Sequence, residues 1–197
     1  MMALSVGIDL STRSCGMAVV RDDSLVASWQ IKGLNSVDKW QRLRYVGEVI
    51  RSRLPRGVDV VVFENVRLFH GGRISIEAIR DLARLQGVVS YIALGAGARV
   101  VEVSVQHWRR AVLGSGRAQK KDVVAWAADF AQRDGLGTDE AEAIALARYG
   151  VLWLNQSQKQ LKRSIRHSSK EVSTGNGTST RSVPRSVDRR NRKRQKR

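Results

Sequence analysis

The strongest constraint on the fold is a short run of apolar residues at positions 58–64, with the sequence VDVVVFE. Valine occupies four of its seven positions, so both alternating faces of an extended chain would be apolar. Such a run is typical of a central strand that is buried on both faces of a sheet. Helices must then cover both faces, which indicates an α/β domain.

The neighbouring segments agree with this interpretation. Three apolar runs near the start, LSVGIDLS, CGMAVVRD and SLVASWQIKG, are separated by turn residues and predict a β-meander. ARVVEVS predicts a fifth strand. Apolar residues at helical spacing predict helices over about 37–54, 76–93, 104–113, 118–133 and 138–154. The expected fold is therefore a five-stranded mixed sheet with helices on both faces.

Charge divides the chain into two parts. The 197 residues carry a net charge of +17, and fourteen of the 35 lysines and arginines follow residue 154, against two acids. We expect one domain over residues 1–154 and a basic tail over 155–197 that is mostly disordered, from about residue 168 onward. So basic a chain is most often held on nucleic acid by phosphate neutralisation. A solvated basic surface, or a tail that binds anionic membrane, is the alternative.

Other classes are disfavoured by simple features. The single cysteine, Cys15, excludes an internal disulfide, and we expect it to be a small core residue. There is no apolar run of bilayer length and no secretory signal at the start. We therefore expect a soluble, cytoplasmic protein that contacts no membrane, located in a bacterial cell or in the host cytoplasm if phage-encoded.

Acidic residues mark the expected site. Asp9 and Glu64 end apolar strands, and GTDEAEAIALA opens the last helix with Asp139, Glu140 and Glu142. Ligands of open α/β sheets collect beyond the carboxyl ends of the strands, where Asp9 and Glu64 are expected. Asp139 and Glu142 are three residues apart and share a helix face, whereas Glu140 is turned about 100° from Asp139. Acids in a first helical turn are also common simply because they complement the helix dipole.

Convergent carboxylates without histidine or cysteine ligands suit a hard cation such as magnesium or manganese. In a basic protein, this combination indicates phosphoryl chemistry. Two such ions can activate a water on one side of a phosphodiester and stabilise the leaving oxygen on the other.

Four motifs, in order and at matching intervals, resemble the RuvC family of Holliday junction resolvases. They are GIDLSTRSCGMAVV, VVVFENV, LGSGRAQKKDVV and TDEAEAIALA, and the resemblance covers roughly residues 4–154. It implies a ribonuclease H-like fold and a metal-dependent endonuclease of DNA recombination and repair. Such an enzyme acts as a homodimer, nicks a four-way junction symmetrically with Mg²⁺ or Mn²⁺, two ions per site, and needs no nucleotide cofactor.

The resemblance also implies roles for single residues. Asp9, Glu64, Asp139 and Glu142 match the catalytic, metal-binding acids, although the family most often has aspartate at the last position. Lys120 matches a catalytic lysine near the scissile phosphate, where it would offset developing charge. The implied DNA-contacting residues are Arg67, Phe69, Arg73, Arg109, Arg117, Lys120 and Lys121.

Two features of the resemblance stay open. The loop after Glu64 has Arg67 where the family has a stacking phenylalanine, and Phe69 either stacks on junction bases or packs against the next helix. The dimer contact is implied for the helix over 76–93. We expect the five tryptophans, Trp29, Trp40, Trp108, Trp126 and Trp153, to be core or dimer-interface residues.

Three other functions fit parts of the sequence. GIDLST also resembles the phosphate loop of sugar-kinase and actin-like ATPases, but 197 residues leave no room for their second domain. Short resolvase-like nucleases of ribosomal RNA processing share the opening and the acidic ending, yet lack such a basic arm. A non-catalytic module that binds branched DNA is the third, although all four acids are present.

Overall fold

The computed structural model describes residues 2–11, 13–33, 38–65 and 75–174. The chain alternates strands and helices in the predicted order, β-β-β-α-β-α-β-α, and two more helices follow. The strands are β1 (Leu4–Asp9), β2 (Ser14–Arg21), β3 (Ser24–Lys32), β4 (Val60–Glu64) and β5 (Arg99–Val103). The helices are α1 (Lys39–Arg53), α2 (Ile76–Gly95), α3 (Val105–Leu113), α4 (Lys120–Ala131) and α5 (Thr138–Thr174).

The five strands form one mixed sheet in the order β3-β2-β1-β4-β5. The first three pair antiparallel as a meander, and β4 and β5 join parallel to β1. Strand β4 contains the valine run, and Val60–Phe63 are fully buried, as expected for a strand covered on both faces. The predicted five-stranded mixed sheet is confirmed.

Alternation along the strands divides the core between the two faces. Val6 and Phe63 belong to the hydrophobic cluster that includes α1 and α2. Val60 and Val62 belong to the opposite cluster, with buried residues of α3, α4 and α5 such as Trp108 and Ile144. Helices therefore cover both faces, as predicted.

Helix α5 lies unusually close to the sheet because glycines replace side chains at the contact. A Cβ built on Gly7 of β1 would be 2.2 Å from the Ala143 carbonyl oxygen, and one on Gly16 of β2 would be 1.9 Å from the Asp139 carbonyl oxygen. Neither distance is compatible with any residue larger than glycine. The two glycines thus set the distance between the sheet and the first turns of α5.

Some expectations differ from the structure. Helix α5 was expected to end near residue 154 but continues to Thr174, so residues 168–174 are helical; the rest of the tail, 175–197, lies outside the described residues. The compact unit that holds the sheet ends at Lys159. Of the tryptophans expected in the core or in a dimer interface, Trp40 does not lie in the core, since it is 56% exposed on the first turn of α1, whereas Trp108 is fully buried. Cys15 is fully buried, as expected. None of the described helices has the length and apolar character to cross a membrane.

Candidate active site

Two of the predicted acids end neighbouring parallel strands. Ile8 of β1 and Phe63 of β4 are register partners, and Asp9 and Glu64 follow them directly. Adjacent strands lie about 4.8 Å apart, so these two carboxyl groups leave the sheet side by side. Strand alternation directs both toward the face covered by α5, opposite to Ile8 and Phe63.

Helix α5 brings the other two acids to the same end of the sheet. Gly16, the register partner of Asp9, is the residue against which the backbone of Asp139 packs. The Asp139 carboxylate accepts a hydrogen bond of 2.5 Å from the Ser14 hydroxyl, and the Gln30 amide lies 3.4 Å from the same oxygen. Asp139 is therefore held against the start of β2.

Glu142 is the most enclosed acid of the group, with 6% of its surface exposed. The Arg109 guanidinium donates to one carboxylate oxygen at 2.9 Å, and the Lys120 ammonium lies 3.5 Å from the other. Arg109 also donates to the Ala118 carbonyl oxygen at 2.8 Å. Two cations thus pair with this buried carboxylate and attach α3 and the start of α4 to α5.

Glu64 is oriented by a tryptophan. The Trp108 indole N–H donates to Glu64 Oε1 at 2.7 Å, and Trp108 itself is fully buried. The Gln86 amide donates to the Glu64 carbonyl oxygen at 2.8 Å, which fixes the end of β4. The side chain and backbone of Glu64 are therefore both held in place.

The pKa values of two of the four carboxyl groups, Asp9 and Glu64, are raised. The pKa of Asp9 is raised to about 8, chiefly by its burial and then by the negative charges of Glu142, Glu64 and Asp139, with Lys120 opposing. The pKa of Glu64 is also raised, first by burial, although the hydrogen bond from Trp108 lowers it. Binding of a proton or a cation among these carboxylates would therefore be favourable.

The donor set fits a hard divalent cation. All four side chains are carboxylates, the ligand type that Mg²⁺ and Mn²⁺ prefer. Across the described ranges, no three acidic, histidine or cysteine side chains converge tightly enough to form a finished ligand cage. The reason is visible in the contacts, because Glu64 is drawn to Trp108, Glu142 to Arg109 and Asp139 to Ser14.

Glu140, the competing acid of the first turn, lies elsewhere. Its carboxylate accepts a hydrogen bond of 2.7 Å from the Ser28 hydroxyl of β3 and forms an ion pair with Arg133. The predicted preference for Glu142 over Glu140 agrees with this geometry.

The predicted DNA contacts fall into three groups. Arg117, Lys120 and Lys121 are exposed where α3 leads into α4. Arg109 instead turns inward, with 15% of its side chain exposed, and is occupied by Glu142. The third group, Arg67, Phe69 and Arg73, lies outside the described residues.

Ser14, Gln30 and Trp108 were not predicted as site residues. Their partners are distant along the chain, 125 residues in the Ser14–Asp139 pair and 44 in the Trp108–Glu64 pair. The one available signal is local: Ser14 begins the strand that faces Asp9 across the turn, and Trp108 precedes Arg109 on α3.

A sheet of this order, with carboxylates at the ends of β1 and β4 and at the start of α5, defines a nuclease of the ribonuclease H-like class. The family model for the crossover junction endodeoxyribonuclease RuvC matches residues 5–149. The chain therefore belongs to the RuvC family, the endonucleases that resolve Holliday junctions.

Solved structures agree on the fold. Thermus thermophilus RuvC superposes with a TM-score of 0.66 at 18% identity, over 78% of this chain and 96% of that one. The T. thermophilus RuvC in complex with a Holliday junction substrate gives 0.66 at 17%, with the same coverage. The yeast mitochondrial Holliday junction resolvase Ydc2 gives 0.55 at 10%, over 80% and 81%. No curated protein matches the sequence.

Proposed function

We propose that this resolvase cuts four-way DNA junctions with Mg²⁺, or Mn²⁺ in its place, bound by Asp9, Glu64, Asp139 and Glu142. The observation that carries the proposal is the placement of Asp9 and Glu64 at the ends of the neighbouring strands β1 and β4, beside the first turns of α5 that hold Asp139 and Glu142. The pKa of Asp9 is raised to about 8 there, by burial and by the three other carboxylates. A buried carboxyl group in such surroundings either takes a proton or a cation. Near neutral pH, two divalent ions would satisfy the whole group.

Residues of the chain itself would have separate roles beside the bound ions. Bound divalent ions would supply the Lewis acidity that activates water and stabilises the leaving oxygen. Trp108 orients Glu64, and its hydrogen bond partly offsets the rise that burial causes in the pKa of that carboxyl group. Arg109 fixes Glu142 from the protein side, and Lys120, with a side chain 64% exposed, reaches from Glu142 toward solvent. Lys120 is thus placed to hold a non-bridging oxygen of the scissile phosphate.

We further propose that the enzyme is a homodimer that pairs through α2. Ile76 and Leu94 are 70% and 63% exposed, and they lie eighteen residues apart, five full turns along one helix face. Tyr91, 74% exposed, flanks this face, and the exposed Ala83 and Gly87 lie between its ends. An exposed face with apolar side chains at both ends and the small residues Ala83 and Gly87 between them favours contact with a second helix.

Charge and sequence suggest the remaining properties. The exposed Arg117, Lys120 and Lys121, the loop with Arg67, Phe69 and Arg73, and the basic tail would all contact branched DNA. The tail would add affinity that depends on salt but not on sequence. Forks and flaps are further candidate substrates. A DNA substrate implies action where the DNA lies, which is the cytoplasm of a bacterial cell.

The test is cleavage of a labelled synthetic four-way junction, beside a fork and a linear duplex, with Mg²⁺, Mn²⁺ or chelator. Asp9→Asn should lower the cleavage rate by about 10³-fold or more, since it removes a charge from the metal site. Junction binding in chelator should stay within about threefold, because the basic surface is intact. Asp129→Asn, an exposed acid of α4, is the matched control and should cut normally.

Each alternative outcome has a clear meaning. Cleavage by Asp9→Asn at the wild-type rate would contradict the metal site. Tight junction binding by wild type without a cut would point to a non-catalytic module. Absence of any preference for branched DNA would favour the RNA-processing relative.

A further inference from the structure

Three cationic side chains converge on a cavity beside the carboxylate site. The cavity has a volume of about 520 Å³ and is lined by Arg13, Ser14, Lys32, Gly33 and Arg42. No acid lines this open cavity, so the charged side chains along its wall are all cationic. None of the proposed metal-binding or DNA-contacting residues lines this cavity.

Separate elements bring these cations together. Arg13 precedes β2, Lys32 ends β3, and Arg42 lies in the first turn of α1. Ser14 and Lys32 are register partners, and the Gly33 N–H donates to the Arg13 carbonyl oxygen at 2.7 Å. The backbone at the mouth of the cavity is therefore fixed by the sheet.

Their charge is uncompensated within the part of the chain that the structure describes. Ion pairs there involve other arginines and lysines, and none includes Arg13, Lys32 or Arg42. Cations gathered around a concave surface repel one another unless an anion joins them. The arrangement therefore fits an anionic ligand.

The Ser14 side chain lies between the cavity and the proposed metal site. Ser14 lines the cavity and donates its hydroxyl hydrogen to Asp139. An anion held there would lie close to a phosphodiester bound at the carboxylates. This position favours a polymer with repeated phosphates.

A second cavity of about 520 Å³ extends the first and shares Arg13 and Arg42 with it. Its two acids are neutralised, Glu77 by Lys39 at 2.9 Å and Asp81 by Arg84 at 2.6 Å.

An aromatic ring lies on the wall of this second cavity. Trp40 is 56% exposed there, and Lys39 and Arg84 lie 5.6 and 4.9 Å from its ring centre. Exposed aromatic rings among cations are typical of grooves that follow a nucleic-acid strand, and a free anion would need no such extension.

We propose that the cavity formed by Arg13, Lys32 and Arg42 binds a backbone phosphate of the DNA strand being cut, as that strand runs from the carboxylate site past Ser14 toward Trp40. The inference rests on the proposed function for the identity of the strand. It adds a second anchoring point for the strand, besides Lys120.

The first experiment compares two charge-matched triple variants. Arg13→Gln, Lys32→Gln, Arg42→Gln removes the cavity charges; Arg21→Gln, Arg51→Gln, Arg56→Gln removes three exposed arginines near the other end of the sheet. Junction affinity is measured in chelator over a series of salt concentrations. The cavity variant should bind about tenfold more weakly at 0.1 M salt, with a slope of log affinity against log salt smaller by about 1 per lost phosphate contact.

The control triple should change affinity less than threefold and keep the wild-type slope. Equal losses in both triples would show that only net charge matters and would overturn the proposal. Lys32→Gln alone, at an exposed position, gives the same test if the cavity triple does not fold.

A second experiment locates the phosphate. Single uncharged methylphosphonate linkages are scanned through whichever DNA the wild type binds, so the result does not depend on the junction being the substrate. A methylphosphonate at one position close to the cut should weaken binding by the wild type but not by the cavity triple. Such non-additivity is expected when the phosphate and the cavity side chains contact each other. A scan in which the two proteins respond alike at every position would overturn the proposal.

Inorganic phosphate tests whether the cavity binds free phosphate instead of a phosphate of the DNA backbone. If millimolar phosphate raises the melting temperature of wild type but not of the cavity triple, and no methylphosphonate position couples, the cavity binds free phosphate and the strand proposal is wrong. Failure of the proposed function would look different: the wild type would neither prefer nor cut branched DNA, whatever the triples do.

Discussion

Asp9 is a carboxyl group whose surroundings oppose its charge. Its burial and the three neighbouring carboxylates raise its pKa from 3.8 to about 8 in the metal-free protein. The unfolded chain has the lower pKa, so the folded state binds this proton more tightly. Asp9 therefore contributes stability that is complete below pH about 4 and is lost as the pH rises toward 8.

This linkage predicts the behaviour of Asp9→Asn in chelator. The neutral amide avoids the loss, so at pH 9 the variant should be more stable than wild type by ~1 kcal/mol or more, whereas at pH 4 the two should agree closely. Thermal unfolding across pH 4–9 measures the difference. Adding Mg²⁺ should reverse the order at pH 8, because the cation stabilises only the wild-type cluster. Identical stabilities across the pH range would show that Asp9 is not buried among charges.

Trp108 acts on the site through Glu64. Burial raises the pKa of this carboxyl group, and the hydrogen bond from Trp108 to Glu64 Oε1 is the largest of the contacts that oppose the rise. The Trp108 ring fills the core beneath. Partners that orient metal ligands typically account for 10- to 100-fold in activity or metal affinity.

Trp108→Phe should therefore lower cleavage by about 10- to 100-fold while the fold is retained. Because the pKa of Glu64 rises when the hydrogen bond is lost, the acidic limb of the pH–rate profile should move to higher pH. Trp126→Phe is the control, since Trp126 stacks on Phe130 and its change should leave the profile in place. A uniform loss of rate with an unmoved profile would assign Trp108 a packing role only.

At the scale of elements, the site depends on how closely α5 approaches the sheet. The backbone of Asp139 lies where a Cβ on Gly16 would be, so the start of the helix cannot approach a larger residue. Asp139 and Glu142 both move with this end of α5. Gly16 thus determines both the packing of α5 and the position of two carboxylates of the site.

Gly16→Ala should destabilise the protein by about 2–4 kcal/mol or shift α5 outward, and cleavage should fall by at least about 10²-fold in either case. Gly95→Ala is the matched control, because a Cβ there has open space around it and should leave stability unchanged or slightly higher. Denaturant unfolding and junction cleavage measure the two effects. Normal cleavage by Gly16→Ala would mean that the position of α5 is not critical.

The sequence predicted the parts of this site that local pattern determines. Asp9 and Glu64 could be found because each ends an apolar strand, and Glu142 because helical spacing turns it toward Asp139. The partner of Glu64, Trp108, could not, since its N–H meets the carboxylate only through the packing of α3 on the sheet. The end of α5 was also missed, because residues 155–174 lack the apolar spacing by which a helix is recognised, although they continue it.

At the scale of the whole molecule, the exposed face of α2 determines how two active sites could act together. Ile76, Tyr91 and Leu94 are apolar and mostly exposed on the single chain. Covering them would remove apolar surface from water on both copies, which is the main favourable contribution to association. A two-fold dimer would also present two equivalent sites to the two strands of a four-way junction.

Tyr91→Lys with Leu94→Lys should convert the proposed dimer to a monomer at micromolar concentration, because four buried lysines would face one another. Light scattering after size exclusion measures the mass, with Val26→Lys, on the exposed edge strand β3, as the control. Each chain keeps its carboxylates, so the monomer should still nick junctions but lose the paired, symmetrical cuts within one binding event. A double variant that stays dimeric and still makes paired cuts would show that the interface lies elsewhere. A wild type that is monomeric and still makes paired cuts would show that pairing of the two cuts does not depend on α2.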